Sequence, residues 1–169
     1  MANAQAQTQT RRGFPSISRP PEPSEERAQY GALCWRQRDG EVEVLLITSR
    51  ETGRWVIPKG WPMDKRSPAQ AAAQEAWEEA GVQGEIAETR LGGFDYQKII
   101  NPKRTLACHV DVFALRVTGL ADKFPERKQR RRKWFAAEKA ARKVNEPELR
   151  QLLAHLEGHL GEDAGLVIA

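Results

Sequence analysis

Residues 60–82 read GWPMDKRSPAQAAAQEAWEEAGV: a glycine-led loop that turns into a helix. Ser67 is placed to cap the helix, Pro68 suits its first turn, and Gln70 three residues on completes a capping box. Ala71, Ala72, Ala73, Ala76 and Ala80 favour the helix, and Gly81 ends it as the residue best able to turn left-handed. Glu75 and Glu79 lie four apart and so share one face, with Glu78 three from Glu75. Acids in a last helical turn are disfavoured by the helix dipole by roughly 0.3–1 kcal/mol each, and like charges four apart add a few tenths. A divalent cation would reverse the sign of these terms, and Mg²⁺ prefers carboxylate oxygens, water and phosphate. Three glutamates alone read more readily as a solvated acidic face. The turn Pro58-Lys59-Gly60 in front of them shifts that balance, because a glycine there lets backbone approach a ligand closely.

Working outward, Tyr30–Arg36 and Glu41–Thr48 read as strands joined at Asp39-Gly40, with flanking polar residues lengthening the loop. Trp55-Val56-Ile57 is a short strand stopped by Pro58. Val82 to about Tyr96 holds one or two strands. Thr105–Val117 alternates over a long stretch, and Lys133-Trp134-Phe135 ends another strand. Asn145 is expected to cap a last helix whose stripe is Leu149, Leu152, Leu153, Leu156 and Leu160. Strands before, between and after two helices imply an α/β sandwich with a mixed sheet.

Composition narrows the classes. A chain of 169 residues suits one domain plus a tail. Residues 1–28 are rich in Gln, Ala, Pro and Ser and are expected to be a disordered tail. No apolar run is long enough to span a membrane, and the N-terminus has no apolar core of a secretory signal. Cys34 and Cys108 each sit in a strand-like run and read as buried thiols, which suits a cytoplasmic location. A net charge of +4 fits an anionic partner. P-loop and nucleophile-elbow patterns are absent. His155 and His159, four apart, lack a third ligand and read as solvated; His109 reads as structural.

The run from Gly60 to Val82 resembles the Nudix box, a glycine-led loop–helix motif ending R-E-U-x-E-E-x-G-U, where U is aliphatic. Gly60, Glu75, Ala76, Glu78, Glu79, Gly81 and Val82 stand at matching positions. Arg66 replaces the usual loop glutamate, and Gln74 the usual arginine before the first helix glutamate. Both members of that opposite-charge pair are changed while all three helix glutamates remain, so the metal site is expected to be intact and its support rebuilt, with Asp64 a weak substitute carboxylate. The resemblance implies an αβα sandwich with a mixed sheet over residues 29–162 and hydrolysis of a diphosphate linkage. It implies Mg²⁺, with Mn²⁺ able to substitute, held by Gly60, Glu75, Glu78 and Glu79. Glu78 or Glu79 would be the general base. Loss of Glu79 is expected to cripple turnover, keep the fold and relieve a charge penalty in the helix.

Ser49-Arg50, the run Gly53–Gly60 and Arg132-Lys133-Trp134-Phe135 look like the branch acting on diphosphoinositol polyphosphates and dinucleoside polyphosphates. That branch implies a small phosphorylated substrate held by Arg50, Arg54, Lys59 and Arg132. Lys98, Lys103, Arg104, Arg127, Lys128 and Arg130–Lys133 add charge that a phosphate-rich ligand would use. Trp61 suits stacking on a base or covering the pocket, and equally packing or rim exposure. Two other classes compete: a Nudix-fold ligand-binding regulator without catalysis, and a basic nucleic-acid-binding domain. The second lacks the interleaved aromatics of a single-strand binder.

Overall fold

The computed structural model describes residues 27–161. The expected tail lies outside them up to residue 26, as does the expected domain end at 162. The first strand, β1 (Ala28–Arg38), turns through Asp39 and Gly40 into β2 (Glu41–Thr48). Both turn residues have positive φ, 50° and 78°, as the tightest hairpin of this hand demands. Arg38 pairs directly with Glu41, so the loop is minimal rather than lengthened. Two short strands follow, β3 (Trp55–Val56) on β2 and β4 (Lys59–Gly60) on β1. Next come α1 (Pro68–Ala80), β5 (Val82–Ile86), β6 (Gly92–Asn101), β7 (Arg104–Leu120) and β8 (Arg132–Ala136).

One mixed sheet runs β3-β2-β1-β7-β5, with β8 on β2, β4 on β1 and β6 on β7. Strands β1 and β7 pair in parallel, and the other pairs are antiparallel. Both faces of the centre are covered, which explains the unbroken apolar runs there. Along β1, Ala32 and Cys34 face α1, while Leu33 and Trp35 face the opposite core. That second core is closed by α2 (Ala137–Lys143), α3 (Pro147–Ala154) and α4 (Leu156–Leu160). All five predicted leucines are buried in it. The αβα sandwich is therefore as expected.

Several local expectations need correction. Helix α2 was not foreseen, because its seven residues are too few to show a period. Asn145 does not cap the last helix. Glu146 holds that position without a side-chain cap bond, and Pro147 opens the helix. The stripe is also two helices, parted at His155. His155 and His159 are exposed, and among the described residues no metal-binding cluster includes them. His109 lies between Asp95 and Asp111, at 2.7 and 3.2 Å. Among the described residues no helix is long and apolar enough to cross a membrane.

Candidate active site

Helix α1 begins as its sequence dictates. The Ser67 hydroxyl accepts from the Gln70 amide at 3.1 Å, and the Gln70 side chain accepts from the Ser67 amide at 2.9 Å. At the other end Gly81 has φ +67°, and its N–H donates to the Trp77 carbonyl at 2.9 Å. Ala69, Ala72, Ala76 and Ala80 form the buried face. Their small side chains bring the helix close to the sheet, and the two glutamates meet β4 there.

The contact at β4 is backbone against carboxylate. The Lys59 amide donates to Glu79 Oε2 at 3.0 Å. A Cβ at Gly60 would land on the Glu75 carboxylate, so only glycine allows that approach. Glu79 is 7% exposed, and its Oε1 accepts from Arg130 at 2.9 Å. Arg130 also donates to Glu126 at 3.2 Å and to the Thr48 carbonyl at 3.1 Å. Burial raises the pKa of Glu79, and Arg130 and Lys59 offset only part of that rise. Burial, then Glu78 and Glu126, push Glu75 up to about 7.

The loop from β7 to β8 closes this end of the helix. Ala121 N–H donates to the Gly81 carbonyl and Glu126 N–H to the Glu78 carbonyl, at 2.8 and 2.9 Å. Arg132 donates to the Ala80 carbonyl at 2.7 Å. These bonds satisfy carbonyls that a helix end leaves without partners, and a cation there also suits the dipole.

A cleft of about 360 Å³ opens beside Gly60, Glu75 and Glu79. Arg50, Arg54 and Lys59, predicted from the sequence to bind substrate, all line it. Arg132 does not, being held at the α1 terminus. Glu78 does not line it either; it accepts from Gln74 at 3.1 Å. Asp64 is exposed and likewise outside the lining. Of the basic run 127–133, only Arg130 reaches the cleft. Arg131 lies over Trp55 and Lys133 over Phe135, so the expected convergence of that run does not occur. Glu126, Arg130, Lys98 and Tyr96 complete the wall. The sequence offers Lys98 and Arg130 only as two among many basic residues, and it points to neither Glu126 nor Tyr96. For Glu126 the local hint is its four-residue spacing from Arg130; Arg130 and Glu79 are 51 residues apart, beyond any spacing rule.

The oxygen-only donors at the cleft suit a hard divalent cation. The cradle at Gly60, which a Cβ would fill, brings backbone and carboxylate together as such a site needs. Among the described residues no three acidic groups stand ready as a cage. Arg130 lies between Glu79 and Glu126 instead.

Residues 27–156 match the family model of the NUDIX domain, and the chain belongs to the Nudix family. By the company of its relatives it is a pyrophosphohydrolase. Human diphosphoinositol polyphosphate phosphohydrolase 3-alpha is 33% identical over 129 residues, 75% of this chain and 74% of that protein. Nudix hydrolase 12, mitochondrial, of Arabidopsis thaliana is 35% identical over 103 residues, 59% of this chain. The match spans about half of that relative's length, 51%. In fold, the chain is similar to the C. elegans Ap4A hydrolase, with a TM-score of 0.57 and 21% identity over 80% of this chain and 98% of that one. It is also similar to the NUDIX domain of Shewanella oneidensis NrtR, solved with ADP ribose. There the TM-score is 0.60 and the identity 15%, over 85% of this chain and 94% of that one.

Proposed function

We propose that the protein hydrolyses a phosphoanhydride linkage in a phosphate-rich small molecule, such as a diphosphoinositol polyphosphate or a dinucleoside polyphosphate. The cofactor of this reading is Mg²⁺, with Mn²⁺ able to substitute. The carrying observation is the pair Glu75 and Glu79, one face of one helix, opening with Gly60 onto a cleft also lined by Arg50, Lys59 and Arg130.

Glu75, Glu79 and the Gly60 backbone are the groups that would hold the cation. When bound, it would supply neutralisation of diphosphate oxygens and a lowered pKa for an attacking water. Arg50 and Lys59 would orient the phosphates that do not react. Arg54 lines the same wall, its guanidinium fixed by Glu146 at 2.6 Å. Of the two glutamates expected to take the water's proton, Glu79 is the one that faces the cleft. Glu78 acts through its backbone carbonyl, which anchors the loop carrying Glu126.

The test is product release from a panel of substrates with Mg²⁺, run beside Glu79→Gln. The panel holds a diphosphoinositol polyphosphate, a diadenosine polyphosphate, a nucleoside triphosphate and a nucleotide sugar. The expected result is hydrolysis of at least one member, abolished by EDTA and by the substitution. Binding without cleavage by folded wild-type protein would replace this reading with that of a ligand-binding regulator.

A further inference from the structure

The exposed apolar side chains of this protein are few. Among the described residues the exposed large hydrophobics are Trp61, Ile99 and Ile100. Single ones are ordinary on a surface. Here two are consecutive, 46% and 45% exposed, near the tip of the hairpin that β6 makes with β7. Trp61 and Ile99 also line the cleft, whereas Ile100 does not. A ligand in the cleft would therefore leave Ile100 uncovered.

The tip stands clear of the sheet. Strand β1 joins β7 where Ala28 lies beside His109. From Arg104 to Cys108, β7 pairs with β6 alone among the described strands. Every residue from Ile99 to Thr105 is exposed. The Asn101 side chain accepts from the Lys103 amide at 2.9 Å and closes the turn. Ile100 falls at the register shift between Ile99 and Asn101, with no residue opposite.

The charge of the hairpin has one sign. No acid occurs between Asp95 and Asp111, while Lys98, Lys103 and Arg104 lie between them. Among the described residues neither Lys103 nor Arg104 forms an ion pair with a carboxylate. An apolar apex with unpaired cations beside it is complementary to the anionic face of a lipid bilayer. There the acyl boundary takes the apolar groups and the headgroups take the cations. A projecting tip exposed over seven successive residues also suits a medium that closes around it better than a groove that covers one side.

We propose that the β6–β7 hairpin is a peripheral anchor for an anionic bilayer. Ile99 and Ile100 enter the interface, Lys103 and Arg104 hold the headgroups, and nothing spans the membrane. The proposal is independent of the hydrolase reading.

Cosedimentation of the full chain with vesicles tests it, using phosphatidylcholine alone and phosphatidylcholine mixed with an equal part of phosphatidylserine. Binding is expected on the mixed vesicles, falling as salt rises, and far less on the neutral ones. One basic residue near such a surface changes affinity about fivefold, so Lys103→Ala with Arg104→Ala should weaken binding roughly twentyfold. Ile99→Ser with Ile100→Ser should weaken it roughly tenfold, from the part of each side chain still open to burial. Melting curves of both double variants should stay close to wild type, because all four residues are exposed. Ile100→Trp, on mixed vesicles with brominated acyl chains, should show more fluorescence quenching than wild type. Wild type that ignores the mixed vesicles would overturn the proposal. So would binding that follows the cations and ignores both isoleucines, or Ile100→Trp quenched no more than wild type. Self-association that the isoleucine variant abolishes, without vesicle binding, would overturn it in favour of a protein contact.

Discussion

Replacing Glu75 by Gln should stabilise the metal-free protein at alkaline pH. Burial, Glu78 and Glu126 lift the Glu75 carboxyl from 4.5 to about 7, against the pull of Arg130. Below pH 4.5 the side chain is protonated in both the folded and the unfolded chain, and the shift contributes nothing. Between pH 4.5 and about 7 the unfolded chain gives up the proton while the folded one keeps it, so stability falls as pH rises. Above about 7 the cost is complete. Fully realised, that rise would correspond to about 3 kcal/mol. Glu75 is of intermediate burial, and solvent screening reduces the figure to about 1–2 kcal/mol. Urea unfolding in EDTA at pH 4.5 and pH 8 reads the difference directly. Glu75→Gln should match wild type at the lower pH and exceed it by about 1–2 kcal/mol at the higher, or about 3–8 °C in Tm. With Mg²⁺ the order should reverse, because a cation that binds only the folded state stabilises wild type. A variant less stable than wild type at pH 8 in EDTA, or a difference that ignores pH, would refute the argument. The sequence suggested this relief for Glu79. The structure adds Glu75 to it: Glu79 is raised as well, but its carboxylate also holds Arg130 and the Lys59 amide, bonds that a glutamine there would disturb.

The pair of part-exposed Arg54 with buried Glu146 should be costly to break from one side. Glu146 is 6% exposed, so Glu146→Ala leaves a guanidinium without its carboxylate and should destabilise by about 2–4 kcal/mol by urea titration. Adding Arg54→Met should restore part of that loss; a fully additive double variant would contradict the pairing. Gly60→Ala should push the Glu75 carboxylate from its place and weaken Mn²⁺ binding by calorimetry at least roughly tenfold, with the melting curve little changed. Unchanged affinity would mean that Gly60 is a turn residue and nothing more.

The helix that carries the candidate site was legible because its signals are local. Ser67, Gln70 and Gly81 name their own hydrogen bonds, and the spacing of Glu75 and Glu79 sets them on one face whatever lies around them. The same holds for the hairpin at Asp39-Gly40, where the backbone needs positive φ twice. Runs buried on both sides, such as Ala32–Trp35, announced a covered sheet but not which strand lies beside which. The parallel pairing of β1 with β7 joins residues about 80 apart, and no local propensity encodes it.

What only the tertiary structure decided is which charges meet. Six basic residues between 127 and 133 are equivalent as composition. Folding sends Arg132 to the α1 carbonyls, Arg131 and Lys133 to aromatic rings, and Arg130 alone to the cleft. Glu126 joins Glu75 and Glu79 because the loop after β7 is fastened to the carbonyls at the end of α1. A charge acts through its distance to other charges and its exposure to water, and both are properties of the assembled fold. The order of residues put Glu75 and Glu79 on one helix face behind a glycine turn; packing determined which charged groups face one cleft, which are paired, and which apolar side chains share the wall.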